Sequence, residues 1–208
     1  MIVNPPPRRR RPQHSDEKLL GAATRVFARE GYGRATVDAV AAQAGSTKPT
    51  LYARFGSKAE LYRAAVEHEM QAFTAQLFSA YVEARDAPVT ILIERAVHAW
   101  FDYADQHPDG FRLLLAHADA DPAAGLFEQM RDRVTDRVTE LITGALARID
   151  IDDPPAAGLA AAMIVGACVD GARRLQADPA LTTARASALA VDFVIGATSG
   201  MNPRLLDA

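Results

Sequence analysis

The chain has 208 residues, of which 49% are hydrophobic, enough for one large or two small domains with an apolar core. Its one cysteine excludes an internal disulfide framework and is typical of a reducing cytoplasm. The net charge of −3 is divided unevenly, because residues 1–63 contain 12 Lys and Arg against 5 Asp and Glu, while the rest contain 11 against 21. A basic head beside an acidic body is typical of DNA-binding proteins, and a basic tail on an ordinary protein is the simpler alternative.

A Pro- and Arg-rich segment, residues 1–13, is predicted to be a disordered basic arm. It lacks the apolar region of a secretory signal. No apolar run reaches the ~20 residues needed to cross a bilayer, so we expect a cytoplasmic protein without membrane contact. The stretch Arg8–Arg11 either enters a DNA minor groove, as basic arms do, or remains a solvated tail that only attracts phosphates.

Three short helices are predicted to follow the arm. The first begins near Ser15 and ends at Glu30, before Gly31. The second begins after Thr36, whose hydroxyl suits an N-cap, and ends at Gly45, which suits the left-handed conformation at a helix C-terminus. The third follows this turn directly, so the second and third helices have the spacing of a helix-turn-helix.

The third helix is predicted to carry polar groups away from an apolar face formed by Leu51 and Phe55. Ser46 or Thr47 is its predicted N-cap. The outward side chains offer hydroxyls, an ammonium, a phenol and a guanidinium, all suited to phosphate oxygens and base edges. They are Thr47, Lys48, Thr50, Tyr52 and Arg54.

These side chains are assigned separate roles. We interpret Thr47, Lys48 and Thr50 as base-edge contacts and Arg54 as a contact to the DNA backbone. Two further phosphate contacts are predicted at the starts of the second and fourth helices, where backbone N–H groups favour anions: Thr36 and Lys58. The alternative for each is a side chain that is merely exposed to solvent.

The fourth helix is predicted to begin at Ser57, its N-cap, and to run past residue 80. An apolar stripe follows it at helical spacing throughout. The stripe consists of Tyr62, Val66, Met70, Phe73, Leu77 and Tyr81. A helix of this length connects the basic head to the acidic body.

Three more helices are predicted before residue 150. Pro88 opens the fifth, and the sequence Pro108–Gly110 is expected to break it. The sixth is expected from Phe111 to about Ala118, and the seventh from Asp121-Pro122. The exposed side of the seventh alternates Arg with Asp and Glu, the pattern of a solvated face with paired charges.

The eighth and ninth helices are unusually apolar. From Ala156 to Val169 every residue of the eighth is apolar or Gly, so this helix is expected to be buried on all sides. The ninth, near Thr182 to Gly196, has the same character. Pairing of these two helices with the same two of a second subunit would form a four-helix bundle, whereas packing within one chain is the alternative.

Two segments resemble the TetR/AcrR family of bacterial transcription regulators. One holds Ala22-Ala23, Phe27, Gly31-Tyr32 and Thr36-Val37 at the family's spacing; the other is the run Ala44–Val66. Together the matching positions cover residues 15–66. Ser46 is a departure, since the family usually has a branched apolar residue there. The resemblance implies that Tyr52 is the recognition-helix tyrosine that contacts the DNA backbone, with packing on the first helix as the alternative.

The same resemblance implies a homodimer formed through the last two helices and an effector pocket among helices five to eight. The candidate pocket residues are Trp100, Phe101, Phe111, Phe127, Met130 and Met163. For any single one of these, an ordinary core position is the alternative. Asp170, just after the apolar run, is interpreted as an ion-pair partner of Arg173 or Arg174 rather than a pocket anchor.

No catalytic or metal-binding pattern is apparent. The histidines lack the i, i+4 spacing of a metalloprotease motif, and Cys168 lies in an apolar helix, which argues against a reactive thiolate. We therefore expect no enzyme, no cofactor and no metal.

The sequence predicts an all-α protein of about nine helices, with a basic arm (1–13), a helix-turn-helix domain (14–60) and an effector-binding and dimerisation domain (61–208). The expected function is a transcriptional repressor that binds a palindromic operator as a dimer and is released by a small hydrophobic effector. The alternatives are an activator of the same fold, a regulator without a small-molecule ligand, and, remotely, a helical enzyme or adaptor that does not bind DNA.

Overall fold

The computed structural model describes residues 14–84, 87–116 and 122–199, and within these ranges the chain forms nine α-helices and no strand. The prediction of an all-α fold is therefore confirmed. The arm with Arg8–Arg11, as well as Asp121, lies outside the described residues. The helices are α1 His14–Arg34, α2 Val37–Ala44, α3 Lys48–Phe55, α4 Lys58–Ala84, α5 Val89–Gln106, α6 Pro108–Leu115, α7 Leu126–Ala147, α8 Pro154–Ala177 and α9 Thr183–Ser199.

The helix-turn-helix is closed by local capping hydrogen bonds. Thr36 Oγ1 accepts from the N–H of Ala39 at 3.1 Å and so caps α2. Gly45 ends α2 with φ 62°, and its N–H and that of Ser46 donate to carbonyls of the last turn of α2. The serine at position 46 thus supports the turn through its backbone, and Thr47 rather than Ser46 caps α3.

The long helix α4 joins the head to the body. Ser57 Oγ accepts from the N–H of Glu60 at 3.1 Å, so the predicted cap is confirmed. Every member of the predicted apolar stripe is buried. The first half of α4 packs on α1 and α3, and the second half packs on α5 and α7, which makes one continuous core through head and body.

Two boundaries in the body differ from the prediction. α6 begins at Pro108 instead of Phe111, because the proline occupies the first turn, where its missing N–H is not needed. α7 begins at Leu126 after Gly125, which has φ 82° and ends a turn, so Pro122 does not start the helix. A proline in sequence marks either a break or a first turn, and only the packing of Phe111 and Leu114 decides between them here.

The last two helices each have one buried and one exposed face. α8 packs along α7, and α9 packs along α5, where His98 Nδ1 lies 2.7 Å from Ser187 Oγ. The expectation that α8 is buried on all sides is wrong for the single chain, since Leu159 and Met163 are about two-thirds exposed. α8 is also the one helix in the described ranges that is long and apolar enough, by length and composition, to cross a membrane (mean hydropathy 1.5), a test that a packed core helix passes as well.

Candidate nucleic-acid interface and ligand cavity

The outer face of α3 is open to solvent along its length. Leu51 is buried in the head, and Phe55 packs against the same core, as predicted. Tyr52 is 42% exposed, so part of its side chain is accessible from solvent and part of it is buried against the protein. Thr47, Lys48 and Thr50 are exposed as well. The structure therefore brings the candidate base-edge residues together on one exposed surface.

In the free protein the candidate base-edge groups are bonded to one another or to α2. The hydroxyls of Thr47 and Thr50 lie 2.8 Å apart. Lys48 Nζ donates to Asp38 Oδ2 at 2.8 Å, and this exposed ion pair raises the pKa of the Lys48 ammonium. These bonds hold the three side chains in defined positions in the free protein.

The candidate phosphate contacts occupy the rim of this surface. The Arg54 guanidinium is paired with Asp16 of α1, so it already has a carboxylate partner. Lys58 Nζ donates to the carbonyl of Gly33 at 3.3 Å and lies 4.5 Å from the ring centroid of Tyr32. Thr36 is exposed at the N-terminus of α2, although its hydroxyl caps the helix.

The body contains a cavity of about 540 Å³ among α4, α5, α7, α8 and α9. Its buried wall includes Val97, Trp100, Val165 and Cys168, whereas Ile149 is mostly exposed and marks the opposite end. The lining is largely aliphatic and rich in alanine. Such a cavity suits an apolar small molecule. Its further lining residues include Tyr81, Thr90, Ile93, Ala96, Val138, Leu141, Ile142, Ala145, Arg148, Ala156, Ala160, Ile164, Thr198 and Ser199.

The cavity lies among the predicted helices, but most predicted residues do not line it. Trp100 does. Phe101, Phe111 and Met130 are buried in solid core, and Phe127 lines a separate small depression of about 30 Å³. Met163 is exposed on α8. From the sequence, the aromatic residues were assigned to the pocket because of their chemical type. In the structure, Phe101, Phe111 and Phe127 belong to the packed hydrophobic core instead.

Polar groups are few at the cavity wall, and they include the Tyr81 phenol, whose pKa is raised by burial, and the hydroxyls of Thr90 and Ser199. The Thr198 hydroxyl donates to the carbonyl of Val194 at 2.9 Å, within its own helix. Burial raises the pKa of the Cys168 thiol to about 12, so at neutral pH it is a protonated thiol and not a nucleophile. Within the described ranges no cluster of His, Cys, Asp and Glu is suited to a metal ion.

A buried carboxylate joins the head to the body, and sequence reasoning missed it. Glu69 of α4 is only 9% exposed. It accepts from the Thr24 hydroxyl of α1 at 3.0 Å and from the Tyr103 hydroxyl of α5 at 2.8 Å. Burial, together with this carboxylate, raises the pKa of the Tyr103 phenol. The available signal was its register, because Glu69 lies between Val66 and Phe73 on the apolar stripe of α4.

A chain of contacts connects this carboxylate to the cavity. The Phe73 ring meets Trp100 at a centroid distance of 4.8 Å and Tyr103 at 5.2 Å, both edge to face. α1 is also linked to α6 by the exposed pair of Arg29 and Asp109, at 3.4 Å. The cavity wall is therefore connected to α1 of the head by a contiguous series of contacts.

α8 and α9 together present an exposed apolar surface. Its largest members are Leu159 and Met163 of α8 and Leu189 and Phe193 of α9, each 56–67% exposed. Asp170 of α8 pairs with Arg173 at 3.0 Å, as interpreted from the sequence. An apolar surface of this kind on a soluble domain usually marks a contact with another protein.

Part of the head matches a known family model. Residues 19–65 match the family model of bacterial regulatory proteins, tetR family. The chain is 31% identical over 128 residues to the HTH-type transcriptional activator FasR of Mycolicibacterium smegmatis, covering 61% of this chain and 58% of that protein. It is 32% identical over 105 residues to the HTH-type transcriptional repressor SCO4008 of Streptomyces coelicolor, covering 50% of each. The chain thus spans about half the length of the curated relatives it matches.

The fold of the whole chain also has solved counterparts. The transcriptional regulator FadR from Bacillus subtilis, solved in complex with stearoyl-CoA, superposes with a TM-score of 0.75 over 90% of this chain and 100% of that one. The two sequences are only 17% identical, so the likeness establishes the shared fold and leaves the ligand of this chain open.

Proposed function

We propose, from the match of residues 19–65 to the family model of bacterial regulatory proteins, tetR family, that the protein is a cytoplasmic, ligand-responsive transcriptional regulator. The observation that carries the proposal is the capped helix-turn-helix with an open α3 face. Thr47, Lys48 and Thr50 contact base edges in a major groove, while Thr36, Tyr52, Arg54 and Lys58 contact phosphates.

The protein acts as a homodimer that binds a palindromic operator. Support comes from the exposed apolar side chains on α8 and α9, which a second copy would cover. Two heads related by a two-fold axis would then reach half-sites about one helical turn of DNA, or a multiple, apart.

A small hydrophobic effector occupies the cavity of about 540 Å³ and shifts the heads relative to one another. Effector binding beside Trp100 is coupled to α1 through the contacts of Phe73, Tyr103 and Glu69. A coupling free energy of ~1–3 kcal/mol between two sites is typical of allosteric proteins. The stearoyl-CoA with which FadR was solved supports an elongated apolar effector for this fold.

The protein is a repressor that its effector releases from DNA. An activator is the second candidate, because one of the relatives is named an activator and the other a repressor. Transcription in vitro from a promoter that carries the operator decides between them: loss of transcript on addition of the protein supports the repressor, and a gain supports the activator.

DNA binding is tested by gel shift with DNA from the regulator's own promoter region against random-sequence DNA. We expect a protected palindrome and affinity that falls steeply with salt, because phosphate contacts release counterions.

Lys58→Ala should weaken binding to all sequences and reduce the salt slope by about one, whereas Lys48→Ala should lose discrimination at one base position. Uniform weakening by Lys48→Ala would contradict its base-edge role, and equal affinity for promoter and random DNA would contradict the proposal.

Dimerisation is tested by analytical ultracentrifugation at micromolar concentration. Leu189→Glu or Phe193→Glu should give monomers, because a carboxylate would be buried in the interface. The control is Val82→Glu, since Val82 is an equally exposed apolar residue on α4, away from α8 and α9. A monomeric wild-type protein would overturn the dimer.

A further inference from the structure

The wall of the cavity contains a phenol whose hydroxyl has no partner in the protein. Tyr81 of α4 lines the cavity and is only 2% exposed. Its ring lies beside Phe78, at a centroid distance of 5.9 Å, but its hydroxyl makes no hydrogen bond within residues 14–84, 87–116 and 122–199. A buried tyrosine hydroxyl usually has a partner, as Tyr103 has in Glu69, so this exception requires an explanation.

The Tyr81 hydroxyl is accessible to a small molecule. In the part of the chain that the structure describes, the unpaired side-chain polar atoms that no water-sized molecule can touch are Asp16 Oδ1, Arg25 Nε and Trp100 Nε1. The unpaired oxygen of Tyr81 is not one of them. Because the residue as a whole is buried and lines the cavity, the space from which its hydroxyl is reached is the cavity itself.

The hydroxyl faces the α7 and α8 walls of the cavity. Burial raises the pKa of the Tyr81 phenol, the Cys168 thiol raises it further, and the Arg137 guanidinium lowers it. Such an influence requires proximity. Cys168 is itself a lining residue of α8, and Arg137 belongs to α7. The hydroxyl of this α4 side chain therefore lies toward the two helices across the cavity.

The charges around the cavity favour an uncharged partner for this hydroxyl. Among the described lining residues the one cation is Arg148, which is exposed at the end of α7. Arg137 does not line the cavity, and its guanidinium already pairs with Glu140 at 2.6 Å. A carboxylate buried beside Tyr81 would therefore be disfavoured, whereas a hydroxyl or carbonyl oxygen would pair with the phenol at little cost.

The shape of the cavity favours a chain-like ligand. Its α5 wall extends from Thr90, which is exposed, to Trp100, which is buried, a distance of about 15 Å along the helix axis. The side chains between these two are aliphatic. A chain inserted along this wall can keep a charged end outside, near Arg148, while its apolar part passes Tyr81.

We propose that the Tyr81 hydroxyl is the polar recognition group of the effector site. The effector it selects is an aliphatic chain with an anionic end near Arg148 and one neutral hydroxyl or carbonyl oxygen on its inserted part. This inference rests on the proposed function and narrows its ligand class. A plain saturated chain would cover the phenol hydroxyl without pairing with it, so it binds more weakly than the oxygenated chain.

The first test compares hexadecanoic acid with its 6-hydroxy, 9-hydroxy and 12-hydroxy derivatives, which differ only in the presence and place of one hydroxyl. Calorimetry without DNA measures their binding to the wild-type protein. We expect at least one hydroxy acid to bind about tenfold more tightly than the parent acid, because it gains a hydrogen bond in an apolar site. The absence of this preference, or of any binding, would overturn the proposal.

Tyr81→Phe removes the hydroxyl and keeps the ring. We expect this variant to bind all four acids with equal affinity. Its melting temperature should equal or exceed that of the wild type, because the hydroxyl that it loses is unpaired in the free protein. A preference that survives in Tyr81→Phe, or a melting temperature lowered by the change, would overturn the assignment.

Tyr103→Phe is the matched control, since Tyr103 does not line the cavity and its hydroxyl is bonded to Glu69 at 2.8 Å. It should lower the melting temperature and keep the preference for the hydroxy acid. Arg148→Gln should weaken all four acids alike, and an unchanged affinity would contradict the place of the anionic end. The proposed function fails by a different result, namely the absence of specific DNA binding in the gel shift, which none of these measurements involves.

Discussion

The body of the molecule has a filled half and a hollow half, side by side on the same helices. In the filled half the rings of Phe73, Tyr103 and Phe111 lie within 5.2–6.3 Å of one another, and the Glu69 carboxylate closes the remaining space. In the hollow half, aliphatic and alanine side chains surround about 540 Å³. Trp100 lies on the boundary, in contact with Phe73 and with the cavity.

The contrast separates a densely packed part of the body from a part that has room for a ligand. Edge-to-face ring pairs fill volume efficiently and contribute beyond their buried area, so the filled half holds α1, α4, α5 and α6 together. Alanines such as Ala96, Ala145 and Ala160 leave room that no neighbouring side chain occupies. Because proteins are densely packed, an apolar space of this size is most simply explained as a ligand site.

The largest expected difference between the two halves is in the free energy of unfolding that is lost when a buried leucine is replaced by alanine. Leu77 is 1% exposed and lines neither depression, while Leu92 is 7% exposed and lines the cavity. We expect Leu77→Ala to lower the free energy of unfolding by about 3–5 kcal/mol, and Leu92→Ala by about 2 kcal/mol, because fewer contacts are lost beside an existing void. Urea denaturation measures both. Equal losses would mean that the two halves are packed alike.

The second expected effect concerns the carboxylate that closes the filled half. Tyr103→Phe removes a hydrogen bond of 2.8 Å to Glu69 and leaves that buried oxygen poorly paired, so we expect a loss of about 1–3 kcal/mol. Gly110→Ala should be destabilising too, because the new methyl group would overlap with the same carboxylate, which Thr24 and Tyr103 hold in place. Thermal unfolding measures both variants. An unchanged melting temperature in either would show that Glu69 is free to move.

The sequence predicted features that depend on neighbours along the chain. The caps at Thr36, Gly45 and Ser57 were found because each is determined within a few residues, and the stripe of α4 because helical periodicity reports burial. The family resemblance of residues 19–65 added the function of the head. These are also the parts that the structure and the comparisons confirm.

The remaining features depend on contacts between residues distant in sequence. The pairs of Lys48 with Asp38 and of Arg54 with Asp16 join residues 10 and 38 positions apart, which no periodicity reports. A cavity is harder to predict from the sequence than an ion pair, because it forms where side chains do not contact one another. Most of the aromatic residues assigned to the pocket therefore lie outside the cavity, and the alanines that line the cavity gave no signal in the sequence.

The third prediction fills the hollow half. Ala145→Leu places a larger side chain at the cavity wall, so we expect at least about tenfold weaker binding of any cavity ligand with stability changed by less than about 1.5 kcal/mol. The matched control is Ala147→Leu, two residues along α7 and exposed to solvent, which should bind normally. Calorimetry with saturated fatty acids of increasing chain length as probe ligands provides the measurement. If both variants bind like the wild type, the effector does not occupy this cavity.

The smallest expected effect is at the edge of the filled half, on α8. A methyl group at Gly171 would meet Phe101 Cζ at 3.5 Å, an ordinary van der Waals contact, and the backbone there is helical. Gly171→Ala should therefore raise the free energy of unfolding by about 0.4–1 kcal/mol, since it restricts the unfolded chain without straining the folded one. Gly110→Ala has the opposite expected sign, although both glycines lie in helices beside the same aromatic core. If Gly171→Ala also destabilises, the space beside Phe101 is already full, and the filled half extends further along α8 than the distances indicate.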